Sequence, residues 1–191
     1  MTMRITQYGE PILREKGSPV TEFNDELKQL SRDMIETMYK EEGIGLAAQQ
    51  IGEAKQIFVM DLQLGDRPVE FSYSIDGKTP PLDLVMPLTI VNPEVKTREP
   101  QAPYEEGCLS FPGIRGEVVR DTQVEMRYQD LDGAHHEIVC DGIFARVILH
   151  EFDHLQGVLF IDHMTPKTLR PLQTKIKKLK RATRDYLKTQ G

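Results

Sequence analysis

Apolar positions along this chain recur in two rhythms, and the rhythms divide it into helices and strands. Leu27, Leu30, Met34 and Met38 follow one another at intervals of three and four, which puts them on one side of a helix predicted from about Asp25 to Glu41. Asn24 stands where such a helix needs a cap, and Asp25 and Glu26 place negative charge in its first turn. Residues 56–62 and 88–95 read as strands, and residues 117–120, 123–128 and 135–139 as a meander with Asp132-Gly133 at a hairpin turn. A second helix is expected from about Asp141 to Gln156. A third, over about 166–188, carries Leu169, Leu172, Ile176, Leu179 and Leu187 as a stripe. Antiparallel strands in runs, rather than in alternation with helices, make the expected class α+β, with strands packed around the central helix and helices at both ends.

Composition narrows the picture little further. With 191 residues and 39% hydrophobic content, the chain can enclose one core, and no repeat or low-complexity linker divides it, so residues 1–191 are expected to form a single domain. No apolar run is long enough to span a bilayer, and Met1-Thr2-Met3-Arg4-Ile5 has no signal-peptide core, so neither a membrane partner nor a leader is expected. Two cysteines without a spaced framework suit thiols in a reducing, cytoplasmic setting.

The central helix carries the candidate chemistry. Ile143, Val147, His150 and His154 run at spacings of four, three and four, beside a parallel stripe of Phe144, Ile148, Glu151 and Leu155. Residues four apart on a helix lie about 40° apart around its axis, so the two imidazoles can converge on one ion with Glu151 beside them. All three polar groups fall on an apolar face. Burying them costs several kcal/mol, roughly, unless something pairs with them, and a divalent cation would do so. Asp153 points away from that side and reads as a solvated or structural group.

Two imidazoles leave a catalytic metal short of a protein ligand. The long motif H-E-x-x-H-x-x-G-x-x-H is met through Gly157, but Phe160 occupies the place of its third histidine. No glutamate follows Glu151 to serve as a downstream ligand, and Asp162 and His163 read as a turn. The missing ligand is therefore expected upstream, where Cys108 stands in Glu105-Glu106-Gly107-Cys108-Leu109-Ser110. A lone cysteine is ordinarily a small buried hydrophobe, but an unsatisfied two-histidine site favours a thiolate ligand here. Cys140, at the end of Glu137-Ile138-Val139-Cys140, reads as core. A third unusual stretch, Gly43-Ile44-Gly45-Leu46-Ala47-Ala48-Gln49-Gln50, combines two glycines with two alanines, which fits either a tight packing contact or a strand edge approached by a ligand.

Taken in order, these three segments resemble the signature blocks of the peptide deformylases: Gly43 to Gln50, then Glu106-Gly107-Cys108-Leu109-Ser110, then His150-Glu151-Phe152-Asp153-His154-Leu155-Gln156-Gly157. The resemblance implies metal ligands Cys108, His150 and His154 and a water in the open position. Glu151 would be its general base, and the Gln50 side-chain amide and the Leu109 N–H would be donors to the oxyanion. It implies a substrate too, the N-formylmethionyl end of a nascent polypeptide, held along the edge that includes Ile44 and Gly45. Ile44, Ile143 and Val147 would then line a methionine pocket, and Glu106 and Arg115 would lie near the peptide, although an exposed ion pair explains those two as well. Iron(II) is the implied native metal, and zinc, nickel or cobalt would also suit one thiolate and two imidazoles.

Two departures from the family pattern stand out. Leu149 replaces a glutamine common before the first histidine, and residues 64–87 form an insertion that reads as a lid or a surface loop. Charge is also uneven. After Thr165 there are nine Lys or Arg against one Asp, +8, which leaves −14 on residues 1–165 of a total of −6. Such a face is usually just solvated; on an enzyme of nascent chains it could instead meet ribosomal RNA. Rival readings are a metallopeptidase using the same helix motif and an inactive relative that only binds.

Overall fold

The computed structural model describes residues 2–63, 65 and 69–190. Helix α1 spans Asp25–Lys40 and starts where the Asn24 side chain accepts the Leu27 N–H at 3.0 Å, as its sequence predicts. Its apolar side buries Leu27, Met34 and Met38 against Leu46, Ile57 and Val59. The strands are β1 (Gly45–Ala47), β2 (Ile57–Met60), β3 (Tyr73–Ile75), β4 (Leu88–Gly107), β5 (Arg115–Gln129) and β6 (His135–Asp141). They form one six-stranded sheet in the order β1-β2-β4-β5-β6-β3, antiparallel throughout. Helix α2 (Gly142–Leu155) lies across β1, β2, β5 and β6. Phe144, Ala145, Ile148 and Leu155 are fully buried there with Phe58, Met60, Ile90 and Met126. The expected α+β arrangement around a central helix is therefore the observed one.

Several boundaries differ from expectation. The strand expected to stop at Val95 runs on to Gly107, and the pieces expected at 117–120 and 123–128 are one strand. Pro100, Pro103 and Asp121-Thr122 suggest interruption, yet the ladder absorbs them. Pro100 falls in the register shift between Arg98 and Gln101, and β4 beyond Val91 has no partner on its β2 side, where a strand tolerates proline. The single terminal helix expected at 166–188 is three pieces: α3 (Pro166–Leu169), a 3-10 turn over Arg170–Leu172, and α4 (Gln173–Gln190). Pro171 lacks the N–H that a continuous helix would need at that turn. Leu169, Leu172, Ile176 and Leu179 still dock together, on a cluster of Leu13, Phe111, Ile114 and Phe160. No helix among the described residues is long and apolar enough to cross a membrane.

The 64–87 insertion, expected as a lid or a surface loop, has positions 64 and 66–68 outside the described residues and contains regular structure in the rest. Tyr73–Ile75 adds the sixth strand, pairing with Ile138–Cys140 of β6. Phe71 and Tyr73 pack against Phe144 at ring distances of 6.2 and 5.6 Å, and Asp141 Oδ1 accepts the Ser72 N–H at 2.6 Å. The insertion thus braces the start of α2. Its turn is clasped by His136, whose Nδ1 meets Asp76 at 2.7 Å and whose Nε2 meets Asp130 at 3.1 Å beside the Tyr128 ring. Hydrogen bonding to Asp76 raises the His136 pKa above its ordinary value of 6.5, partly opposed by burial, while both carboxylates are held below theirs. A raised histidine pKa stabilises the fold below the unfolded value, and that contribution is lost as pH rises through the folded one. Replacing His136 with alanine should therefore lower the melting temperature more at pH 5.5 than at pH 9; equal losses at both pH values in scanning calorimetry would rule out an ionic clasp.

Candidate metal centre

Three elements supply the centre. Helix α2 presents His150 and His154 one turn apart, with ring centroids 5.2 Å from each other. The end of β4 delivers Cys108 directly after Gly107, and Cys108 Sγ lies 3.2 Å from His154 Nε2. One ligand atom from each of Cys108, His150 and His154 lies within 4.8 Å of the others. Donors around one tetrahedral ion with bonds of about 2.0–2.3 Å sit roughly 3.5 Å apart, so the spacing fits. Chemistry fits as well, because Glu151 Oε2 is buried without a protein partner, a costly state for a polar atom that nothing compensates. Phe160, standing where the longer motif has a histidine, instead lays its ring along that of His150 at 6.1 Å.

Glu151 is 4% exposed, and its carboxylate rests against the backbone of β1. A Cβ built at Gly45 would lie inside van der Waals contact with Glu151 Oε1. The paired glycines noted in the sequence are thus explained at Gly45 by the room a carboxylate needs. Burial pushes the Glu151 pKa up to about 7, with Glu106 adding to the rise and His150 opposing it. From the 3-10 turn Ala48–Ile51, Gln50 points its side-chain nitrogen at Cys108 Sγ, 3.4 Å away, while its oxygen accepts the Ala47 N–H at 2.8 Å. Leu109 sits on the turn closed by the Phe111 N–H to Cys108 O bond of 2.9 Å, so its N–H belongs to the loop that carries the sulfur.

Glu106 is not where the sequence reading puts it. Rather than facing a peptide or an exposed cation, it is 6% exposed and accepts from His150 Nδ1 at 2.9 Å. Arg120 grips both its oxygens, at 2.7 and 3.0 Å, and Arg146 reaches Oε1 at 3.2 Å. Burial would raise its pKa, but the bonds from His150 and Arg120 outweigh that and hold it well below the usual carboxylate range. The reason for the misplacement is register. Glu106 points inward between Glu105 and Gly107, and Glu105 takes the exposed pairing with Arg115, at 3.0 Å. Asp153 is half-buried and paired: it bonds Arg120 at 2.6 Å and His163 at 2.8 Å, the structural alternative of the two expected for it. Sequence reasoning missed Arg120 and Arg146. A signal existed for Arg146, which stands one turn before His150 on an otherwise apolar helix.

The pocket residues are less united. Ile143 and Val147 belong to the cluster under the sheet, Val147 at 4% exposure as a core residue, whereas Ile44 is 39% exposed and outside that cluster. Cys140 is core, at 4% exposure.

A sulfur and two ring nitrogens beside a buried carboxylate, set where a central helix crosses an antiparallel sheet, define a metal-dependent hydrolase built on a helix-borne His-Glu-x-x-His motif. The polypeptide deformylase family matches residues 2–170. A peptide deformylase of Opitutus terrae is 48% identical over 186 residues, covering 96% of each chain. Peptide deformylase 1B of Arabidopsis thaliana, solved with an inhibitor, superposes with a TM-score of 0.82 at 34% identity over 96% of this chain and 93% of that one. The Plasmodium falciparum peptide deformylase does so with a TM-score of 0.82 at 35% identity over 98% and 99%. The chain belongs to the polypeptide deformylases, hydrolases that depend on a metal and remove the N-formyl group from nascent polypeptides. The metallopeptidase and binding-only readings give way to it.

Gly45→Ala should displace the Glu151 carboxylate and lower formate release at least about tenfold while metal content stays at the wild-type level; the losses typical of misplaced catalytic groups set that scale. Elemental analysis alongside a formate assay checks it, and undiminished turnover would show that the carboxylate needs no such room.

Proposed function

We propose that the deformylation runs on Cys108, His150 and His154 as the ligands of one divalent ion, iron(II) in the cell, with zinc, nickel or cobalt as substitutes, and on Glu151 as the proton carrier. The observation that carries this is the convergence of those three donors beside a buried carboxylate oxygen that has no other partner. Bound there, the ion supplies Lewis acidity, which lowers the pKa of a water it holds and polarises a carbonyl. Glu151 accepts the proton of the water attacking the formyl carbon and passes it to the departing amine nitrogen as the C–N bond breaks. A buried carboxylate beside the ion, with one oxygen free of any protein partner, is placed for both transfers. Gln50 Nε2 and the Leu109 N–H donate to the oxygen that becomes negative, a contribution of roughly 3 kcal/mol per donor. Ile44 and Gly45 offer the peptide a strand edge, with Ile143, Val147 and Ile44 toward the methionine and Arg115 further along the chain.

The 191 residues act as one catalytic domain in the cytoplasm, and α4 meets the ribosome. Its apolar side is docked while Lys175, Lys177 and Lys178 are exposed, a cationic face suited to RNA phosphates.

Two experiments test these roles. Cys108→Ser should lose stoichiometric metal and nearly all release of formate from a formyl-Met peptide, with no cleavage of casein; full metal and turnover would remove the sulfur from the site. Replacing Lys175, Lys177 and Lys178 with glutamate should abolish co-sedimentation with ribosomes at low salt yet leave turnover of a short formyl peptide intact. Unchanged sedimentation would end the ribosome reading.

A further inference from the structure

The donors of the proposed metal centre come from two separate pieces of chain, the end of β4 and the middle of α2, and one buried side chain joins those pieces next to the site. Arg146 lies one helical turn before His150, and Glu106 lies two residues before Cys108. The Arg146 guanidinium is enclosed by two strands, β4 and β5. It donates to Glu106 Oε1 at 3.2 Å, to Val118 O of β5 at 3.1 Å and to Ala102 O of β4 at 2.8 Å, and the Tyr104 ring covers it at 5.6 Å. Both Arg146 and Glu106 are under a tenth exposed. Glu106 spends its remaining capacity on Arg120 and on His150 Nδ1. With Oε1 held by two guanidiniums, the carboxylate cannot rotate, and Oε2 stays aimed at the His150 ring.

We infer that Arg146 is a positioning residue for the metal centre: through Glu106 it sets the orientation of His150 Nε2, and through its two carbonyl bonds it sets the distance between Cys108 and the two histidines. The inference rests on the ligand set proposed above. Carboxylates that hold a ligating imidazole typically account for ten- to hundredfold in metal affinity, and Arg146 acts one bond further out through such a carboxylate. Lysine in its place keeps the charge but gathers its donors on a single nitrogen, without the planar fork that reaches three acceptors at once.

The test uses the full chain with zinc and cobalt(II) as probes. Zinc affinity is measured by chelator competition, and the visible absorption of the cobalt form reports ligand geometry. Arg146→Met should weaken zinc binding about tenfold and shift the cobalt bands, and Arg146→Lys should produce a smaller change of the same kind while preserving the fold. In a Glu106→Gln background, Arg146→Met should cost less than it does in the wild type, because the route through the carboxylate is already lost and only the two carbonyl bonds remain. Unchanged affinity and spectrum in the folded Arg146→Lys and Arg146→Met proteins, with only a lower melting temperature, would make Arg146 a core residue without a role at the site. An undiminished second loss in the Glu106→Gln background would overturn the route through Glu106. A wild-type chain that takes up no zinc would instead strike the ligand set itself, which separates the two failures.

Discussion

The structure depends on how polar groups on one face of α2 are compensated when that face is buried. His150, Glu151 and His154 occupy positions that packing would otherwise give to leucine or valine, and β1, β2, β5 and β6 close over the helix that bears them. Leaving imidazoles and a carboxylate there unpaired costs more than a marginally stable domain can spare. The fold answers in two ways. On the inner side, Glu106, Arg120, Arg146, Asp153 and His163 form a chain of ion pairs and hydrogen bonds that ends on His150. On the outer side, Cys108 Sγ, His154 Nε2 and the buried, partnerless Glu151 Oε2 lie together as a group that could hold a cation.

That division explains the supporting architecture. Strand β4 is long because it must carry Glu106 and Cys108 from the sheet to the helix, and it bends at two register shifts on the way. Strand β1 is short and glycine-bearing because Glu151 lies against it. The insertion braces the start of α2 through Phe71, Tyr73 and Ser72, and Gln56 holds the far end by donating to Leu155 O at 3.0 Å. Each of these contacts limits how far the helix can move relative to the cysteine. A site assembled from distant segments needs that restraint, because small displacements of reacting groups cost large factors in rate.

Legibility in the sequence followed the range of the interaction. The paired histidines, the glutamate beside them and the cap at Asn24 are local patterns, each written within a single turn or two of helix, and all were readable. Cys108 was readable by elimination, since the motif lacked a ligand and no downstream residue could supply one. Glu106 was not, because facing inward or outward at the end of a long strand is a matter of register, and one residue of slip exchanges it with Glu105. The ladder with β5 likewise carries β4 past Pro100 and Pro103, well beyond the end expected at Val95.

By itself, the order of residues determined the class of the fold, the His-Glu-x-x-His set on the central helix and the cysteine proposed to join it, because helical periodicity and ligand chemistry act over a few bonds. Only the tertiary structure decided that Glu106 serves His150 rather than a peptide, that Arg120 and Arg146 enclose it, and that the insertion becomes a sixth strand. Those outcomes depend on which distant surfaces meet, and burial between them, more than any local preference, selects the partner of each charge.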